Sequence, residues 1–330
     1  MATTITPNAR PSALPSAIRR AGLRGAIASE FTKIRSVRST YWTLAALLII
    51  SIGVGAAITA GTAANFTNNP ADKAGFDATQ ISLAAFFEIG QLIIAVIGAL
   101  TITAEYSTGM IRTSLTAQPR RGVVYAAKAI VFTSVTLVVS LITSFIAFFV
   151  GQALLSSSDV SASLFHSVKI PQNANVVCLQ QGAGGGVGGG AKGNGPLPPG
   201  CVHSKVVFSG IDVIHPSTVL MAIVGCALFV TLVALIAFGL GAIVRHTAGT
   251  ISIVIAALFI IPVLEQALPN DWRWDIMRFL PDAANQVVSV TIGDNTNPHL
   301  WSAWPQLGVT ALWAAALVAV GAYLFHKRDA

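Results

Sequence analysis

The chain has 330 residues, of which 54% are hydrophobic and 10% charged, and its mean hydropathy is +0.71; soluble domains carry about 25% charged residues. That excludes an ordinary soluble protein and points to an integral membrane protein. The net charge of +7 does not argue for nucleic acid, because its Lys and Arg lie beside apolar runs and are not interleaved with stacking aromatics.

Residues 1–16, rich in Thr, Pro and Ala, have no periodic pattern and read as a disordered tail. Over 17–41, Leu23, Ile27, Phe31 and Ile34 recur at helical spacing, while Arg20, Arg24, Arg35 and Arg38 occupy the rest of the circumference. The pattern predicts an amphipathic helix on the inner leaflet, its arginines against anionic headgroups and Tyr41-Trp42 at the interface. A soluble helix packed on a partner is the alternative.

Six apolar stretches come next, at about 42–64, 81–104, 129–155, 218–244, 250–268 and 306–325. As helices they are of the length needed to cross a hydrocarbon core of about 30 Å at roughly 1.5 Å per residue. The fold class is therefore an all-α membrane protein, with residues 42–330 as the permeating domain. In the first span Gly53 and Gly55 would permit close helix approach. Near the outer end of the second, Glu88 and Gln91, three apart, would share a face and are candidates for a water-accessible pathway; an interfacial, solvated carboxylate is the plainer reading.

Between the second and third spans lies a basic handle, Glu105 to Lys128. Its first half, Glu105 to Leu115, could form a short helix capped by Ser107 or Thr108, and Pro119 would stop it before Arg120 and Arg121. Gly109 would allow close contact with a partner, and Arg112, Arg120 and Arg121 offer directional bonds to its acidic or carbonyl groups. A loop whose charge merely sets topology is the competing account.

The longest excursion, 156–216, has a Gly-rich centre around Lys192, but the GxxxxGK[ST] order of a phosphate-binding loop is absent. Cys178 and Cys201 flank that centre on the outer, oxidising side and are candidates for a disulfide; Cys226, within a span, reads as a small apolar filler. Arg245 and His246 form a tight inner turn. The run from Pro269 to Val290 mixes Trp272, Trp274 and Phe279 with charges and suits an outer-interface helix or a re-entrant segment.

Fourteen of the twenty Lys and Arg residues fall on the side of the N-terminal arm, the handle, Arg245 and the C-terminus. By the positive-inside rule both termini and the handle are cytoplasmic.

Three segments, SEFTKIRSVRSTYWTL, TAEYSTGMIRTSLTAQPRRGVVYAAK and FLPDAANQV, resemble the permease subunits of bacterial type-2 ABC exporters in their compact six-span form. The resemblance implies that the arm is an interfacial connecting helix and that the handle holds a coupling helix docking into an ATP-binding subunit. It also implies short outer helices before the last span, and Glu105, Tyr106, Gly109, Arg112, Pro119 and Arg120 look like the family's inner-loop motif. The Gly-rich outer loop departs from the compact pattern.

The same resemblance implies export from a bacterial plasma membrane, with ATP and Mg bound by two copies of a separate cassette subunit and no cofactor on this chain. The unit would hold two permeases, identical or related, moving an amphipathic or lipidic cargo such as a drug, an antibiotic or a lipid. A sensor or immunity subunit that detects an outer peptide or antibiotic without net transport is the alternative. An intramembrane enzyme is disfavoured, since the spans contain no His pair, no Asp pair and no nucleophile with an evident base.

Overall fold

A computed structural model describes residues 22–68, 77–117, 120–156, 162–169, 213–214, 216–281 and 301–327. The helices are α1 (Leu23–Ser36), α2 (Arg38–Asn68), α3 (Ala78–Ala85), α4 (Gln91–Ser107), α5 (Met110–Ala117), α6 (Arg121–Leu155), α7 (Pro216–Val244), α8 (Thr247–Gln266), α9 (Asn270–Met277) and α10 (Ala303–Lys327). A π-helical turn, Phe86–Gly90, joins α3 to α4 without breaking the rod. Apart from turns, the one other regular feature among the described residues is a two-residue antiparallel ladder, β1 (Val168–Lys169) with β2 (Val213–Ile214).

Among the described residues five segments are long and apolar enough to cross a membrane: Tyr41–Asn65, Ala78–Ser107, Arg121–Leu155, Pro216–Val244 and Ala303–Lys327. In α8 the apolar stretch of that kind is shorter, Thr247–Ile261. The apolar runs place the rods but not their ends. The third, expected at 129, starts at Arg121, because a helix continues through its interfacial turns once its polar residues find partners. At the other end, Asp77 caps α3 by accepting from the N–H groups of Thr79 and Gln80.

The bundle is organised around α7, which packs against α4, α6 and α10. Buried residues run along it from Val219 to Ala242, and its rings stack with neighbours, Phe229 on Phe87 and Phe238 on Phe132. Close approach depends on glycine. A Cβ on Gly239 would lie 2.7 Å from the Leu317 carbonyl carbon of α10, and one on Gly98 of α4 would collide with the Ala234 oxygen of α7. The glycines singled out in the first span do not serve this purpose: Gly53 faces open space, and Gly55 meets Ala85 only at ordinary contact distance, 3.4 Å. Spacing within one helix cannot show which glycine meets a neighbour.

At the end remote from the handle, Gln152 of α6 is buried and donates to the Ala78 carbonyl and the Ser82 hydroxyl, while its own carbonyl accepts from Ala162 N–H. The β1–β2 ladder then holds the two ends of the long excursion side by side. On the last helix, Gln306 donates to the carbonyls of Met277 and Leu280 and Trp313 to that of Phe279, fastening α10 to the turn after α9.

Candidate coupling site

The handle is smaller than its sequence suggests. Helix α4 runs on to Ser107 and α6 begins at Arg121, so Glu105 and Lys128 belong to the ends of spans and not to a loop. Between them α5 is a separate two-turn helix. Ser107 and Thr108 do not cap it, since both hydroxyls donate back to the Ala104 carbonyl and close α4. Gly109 makes the turn. Its φ is +70° and nothing in this chain lies within 4 Å of a Cβ placed there, so the residue supplies a left-handed backbone and leaves its outer side open.

Four charged groups converge behind this turn. Lys128 of α6 donates to Glu30 Oε2 of α1 at 2.6 Å and to Glu105 Oε1 of α4 at 2.7 Å. Lys33 of α1 donates to Glu30 Oε1 at 2.7 Å, to Glu105 Oε1 at 3.3 Å and to the Ser114 hydroxyl of α5 at 3.1 Å. Glu30, Glu105 and Lys128 are each more than nine-tenths buried, whereas the Lys33 side chain stays about one-third exposed at the rim. The formal charges cancel, two against two, which is what makes burial tolerable. Glu105 Oε2 is buried with no hydrogen-bond partner among the described residues.

Burial pushes the Glu30 carboxyl upward, but the charge and hydrogen bond of Lys128, with Lys33 behind it, outweigh that and hold it below the usual carboxylate range. Burial likewise lowers Lys33, and its bond to Glu30 with the charge of Glu105 reverses the balance, holding it above the usual lysine value. Both groups are charged near neutral pH.

Sequence reasoning finds Glu105 but not its partners. The periodicity of the arm predicts an amphipathic helix on the inner leaflet but does not show that one turn of it enters the bundle: Glu30 is buried, Ile27, Lys33 and Ile34 are half-buried, and Leu23 and Phe31 remain exposed. A carboxylate on a helix of basic residues was the available signal. Its partner Lys128, seven residues into an apolar helix, was the other.

A second focus lies alongside. The Arg245 guanidinium sits 4.9 Å from the Tyr106 ring centroid and donates to the Leu324 carbonyl, while Phe325 packs against both Tyr106 and Tyr125. The ends of α4, α7 and α10 and the start of α6 thus meet beside the handle. Arg245 itself has φ +59° and closes α7 through its N–H to the Gly241 carbonyl.

Of the remaining predicted residues, Arg120 is exposed at the N-terminus of α6, Arg121 is half-buried in its first turn, and Arg112 lies on α5. Pro119, Cys178, Cys201 and the 1–16 tail lie outside the described residues. Glu88 and Gln91 do not share a face: Glu88 is exposed and Gln91 buried. The π turn is the reason, because its wider winding separates residues three apart that an α-helix would align.

A family model described as ABC-2 family transporter protein matches residues 26–180, from the arm through the handle and the long third span. Over that stretch, just under half of the chain, the sequence is similar to this family, which supports a type-2 ABC permease. A comparison with curated proteins yields no match. Together with the long apolar helices, the family similarity supports a multi-pass membrane protein.

Proposed function

We propose that this permease exports an amphipathic or lipidic cargo, such as a drug, an antibiotic or a lipid, using ATP hydrolysed with Mg on two copies of a separate cassette subunit. A second permease copy or a related chain would complete the path. The observation that carries this reading is the mounting of α5: it hangs on the Gly109 turn, and Lys33 links it to a buried charge cluster shared by α1, α4 and α6. A partner that displaces α5 therefore acts on two spans and the arm together.

Six crossings fit this arrangement. Arg245 places the end of α7 beside Tyr106, and Phe325 places the end of α10 there too, so the chain leaves the handle side through α8 and returns through α10. With α1 docked at the same side, both termini would be cytoplasmic, in accord with the Lys and Arg distribution. The exposed Leu23 and Phe31 on α1 suit an interfacial helix. The ladder that pairs Val168 with Ile214 supports a structured base for the outer loop, where a Cys178–Cys201 bridge would close a smaller ring; mass spectrometry of unreduced protein would reveal two free thiols if the bridge does not form.

The test is the pair Arg120→Glu with Arg121→Glu in the complex purified with its ATP-binding subunit. Transport of fluorescent amphiphiles and labelled phospholipids into inside-out vesicles should fall at least about tenfold, equivalent to about 1.4 kcal/mol of lost coupling, with insertion and assembly retained. Unchanged transport and ATPase would remove the handle from the mechanism. The paired base of the outer loop also favours a second reading, ligand sensing without transport; ATPase altered by an outer peptide, with no cargo accumulating in vesicles, would support it.

A further inference from the structure

Lys33 occupies the last turn of α1, where its ammonium has three N–H donors and meets three acceptors on three helices: Glu30 on its own helix, Glu105 on α4 and Ser114 on α5. Lys128 spans a different set. It holds Glu30 and Glu105 from the buried side and makes the shorter contacts, 2.6 and 2.7 Å, tying α1 to the two spans. The two lysines therefore divide the cluster into an inner half that fastens the arm to the bundle and an outer half that reaches the handle. At its start α5 is joined to α4 only by the Gly109 turn, whose N–H donates to the Tyr106 carbonyl and whose outer side is open.

We infer that Lys33 is a positioning residue that makes the arm α1 and the handle helix α5 a single mechanical body, so that a displacement of the handle is delivered to α1 at the membrane surface as well as to α4 and α6. This rests on the handle being the coupling element. The arm is then part of the transmission and not only a membrane anchor. Ser114 is the contact through which Lys33 reaches the handle, and removing it leaves all four charges in place.

The experiment uses spin labels in pairs on the permease, in nanodiscs, purified with its ATP-binding subunit and spin-diluted with unlabelled permease, in a background without Cys178, Cys201 and Cys226. Arg24 and Thr116 report the distance between α1 and α5, and Thr116 with Phe165 reports the handle against the far end of the bundle; all three positions are exposed. On trapping with ATP and vanadate, the Thr116–Phe165 distance should shift while the Arg24–Thr116 distribution keeps its position and width. Lys33→Met should broaden the Arg24–Thr116 distribution by about one helical turn, roughly 5 Å, and reduce the maximal ATPase rate of the complex severalfold with KM for ATP unchanged. Lys33→Arg, which keeps the charge and the donors, should restore both. Ser114→Ala should broaden the same distribution to a smaller extent, and it decides the matter should Lys33→Met fail to insert.

If trapping moves Thr116 relative to Phe165 but the Arg24–Thr116 distribution is the same in wild type, Lys33→Met and Ser114→Ala, the inference falls and handle coupling stands. An arm that stays behind while the handle moves in wild type has the same consequence. If trapping leaves the Thr116–Phe165 distance unmoved in wild type, the coupling reading falls and this inference with it.

Discussion

Gly109 shows how one residue sets the direction of the handle. A φ of +70° costs an L-residue about 1–2 kcal/mol relative to glycine, and open space around the position means that the cost is purely one of backbone conformation. Gly109→Ala should therefore lower the stability of the purified permease by about 1 kcal/mol, read as a drop in the thermal unfolding midpoint, and Gly109→Asn should cost less because Asn tolerates the left-handed region. Equal midpoints for Ala and wild type would mean that the turn is not held at positive φ. Arg245 occupies the same region at φ +59° without being glycine; there the guanidinium contacts with Tyr106 and Leu324 offset the backbone cost.

Two contrasts arise among the helices. The first is glycine. At Gly239 an added methyl would collide with the α10 backbone, which cannot rotate aside as a side chain can, so Gly239→Ala should force α7 and α10 apart and destabilise by about 1–3 kcal/mol. Gly53→Ala should be neutral within about 0.5 kcal/mol, because that face is empty. Unfolding of the two variants side by side in the same detergent measures both, and a larger effect at Gly53 would contradict the packing described. The second contrast is the docking of α1, which depends on pH at both extremes. Glu30 is held below its usual range, so its contribution is present above the unfolded value and is lost as pH falls through the lower folded value. Lys33 is held above its usual value, so its contribution is present below the unfolded value and is lost as pH rises through the higher folded value. Protection of a cysteine introduced at Ile27, half-buried against the bundle, should be flat through neutral pH and decline only at the acid and alkaline ends. A decline centred near pH 6.5 would point to a histidine instead.

For the whole molecule, the meeting of Tyr106, Tyr125, Arg245 and Phe325 at one end requires that the handle and the C-terminal end of α10 lie on the same side. Single cysteines at Thr116 and Lys327 should resist an impermeant thiol reagent in intact cells, and one at Phe165 should react. Reaction at Thr116 with protection at Phe165 would invert the orientation; opposite behaviour of Thr116 and Lys327 would break the even number of crossings.

Composition and the long apolar runs by themselves determined that this is a helical membrane protein and roughly where its rods lie, because hydrocarbon leaves the backbone no alternative to satisfying its own hydrogen bonds over such lengths. The basic segment from Glu105 to Lys128 likewise marked the handle, since charge between two apolar runs must lie at a membrane face, although its two ends proved to belong to α4 and α6. Tertiary structure alone decided which charges are paired. Glu30, Lys33, Glu105 and Lys128 are spread over nearly a hundred positions and belong to three helices, and no local pattern links them. It also decided that Glu88 is exposed while Gln91 is buried, because the π turn from Phe86 to Gly90 changes the winding there and hydrophobic spacing does not reveal it. The same holds for glycine: whether Gly53 or Gly239 permits a close crossing depends on where the neighbouring backbone passes, and that is known only when the helices are packed.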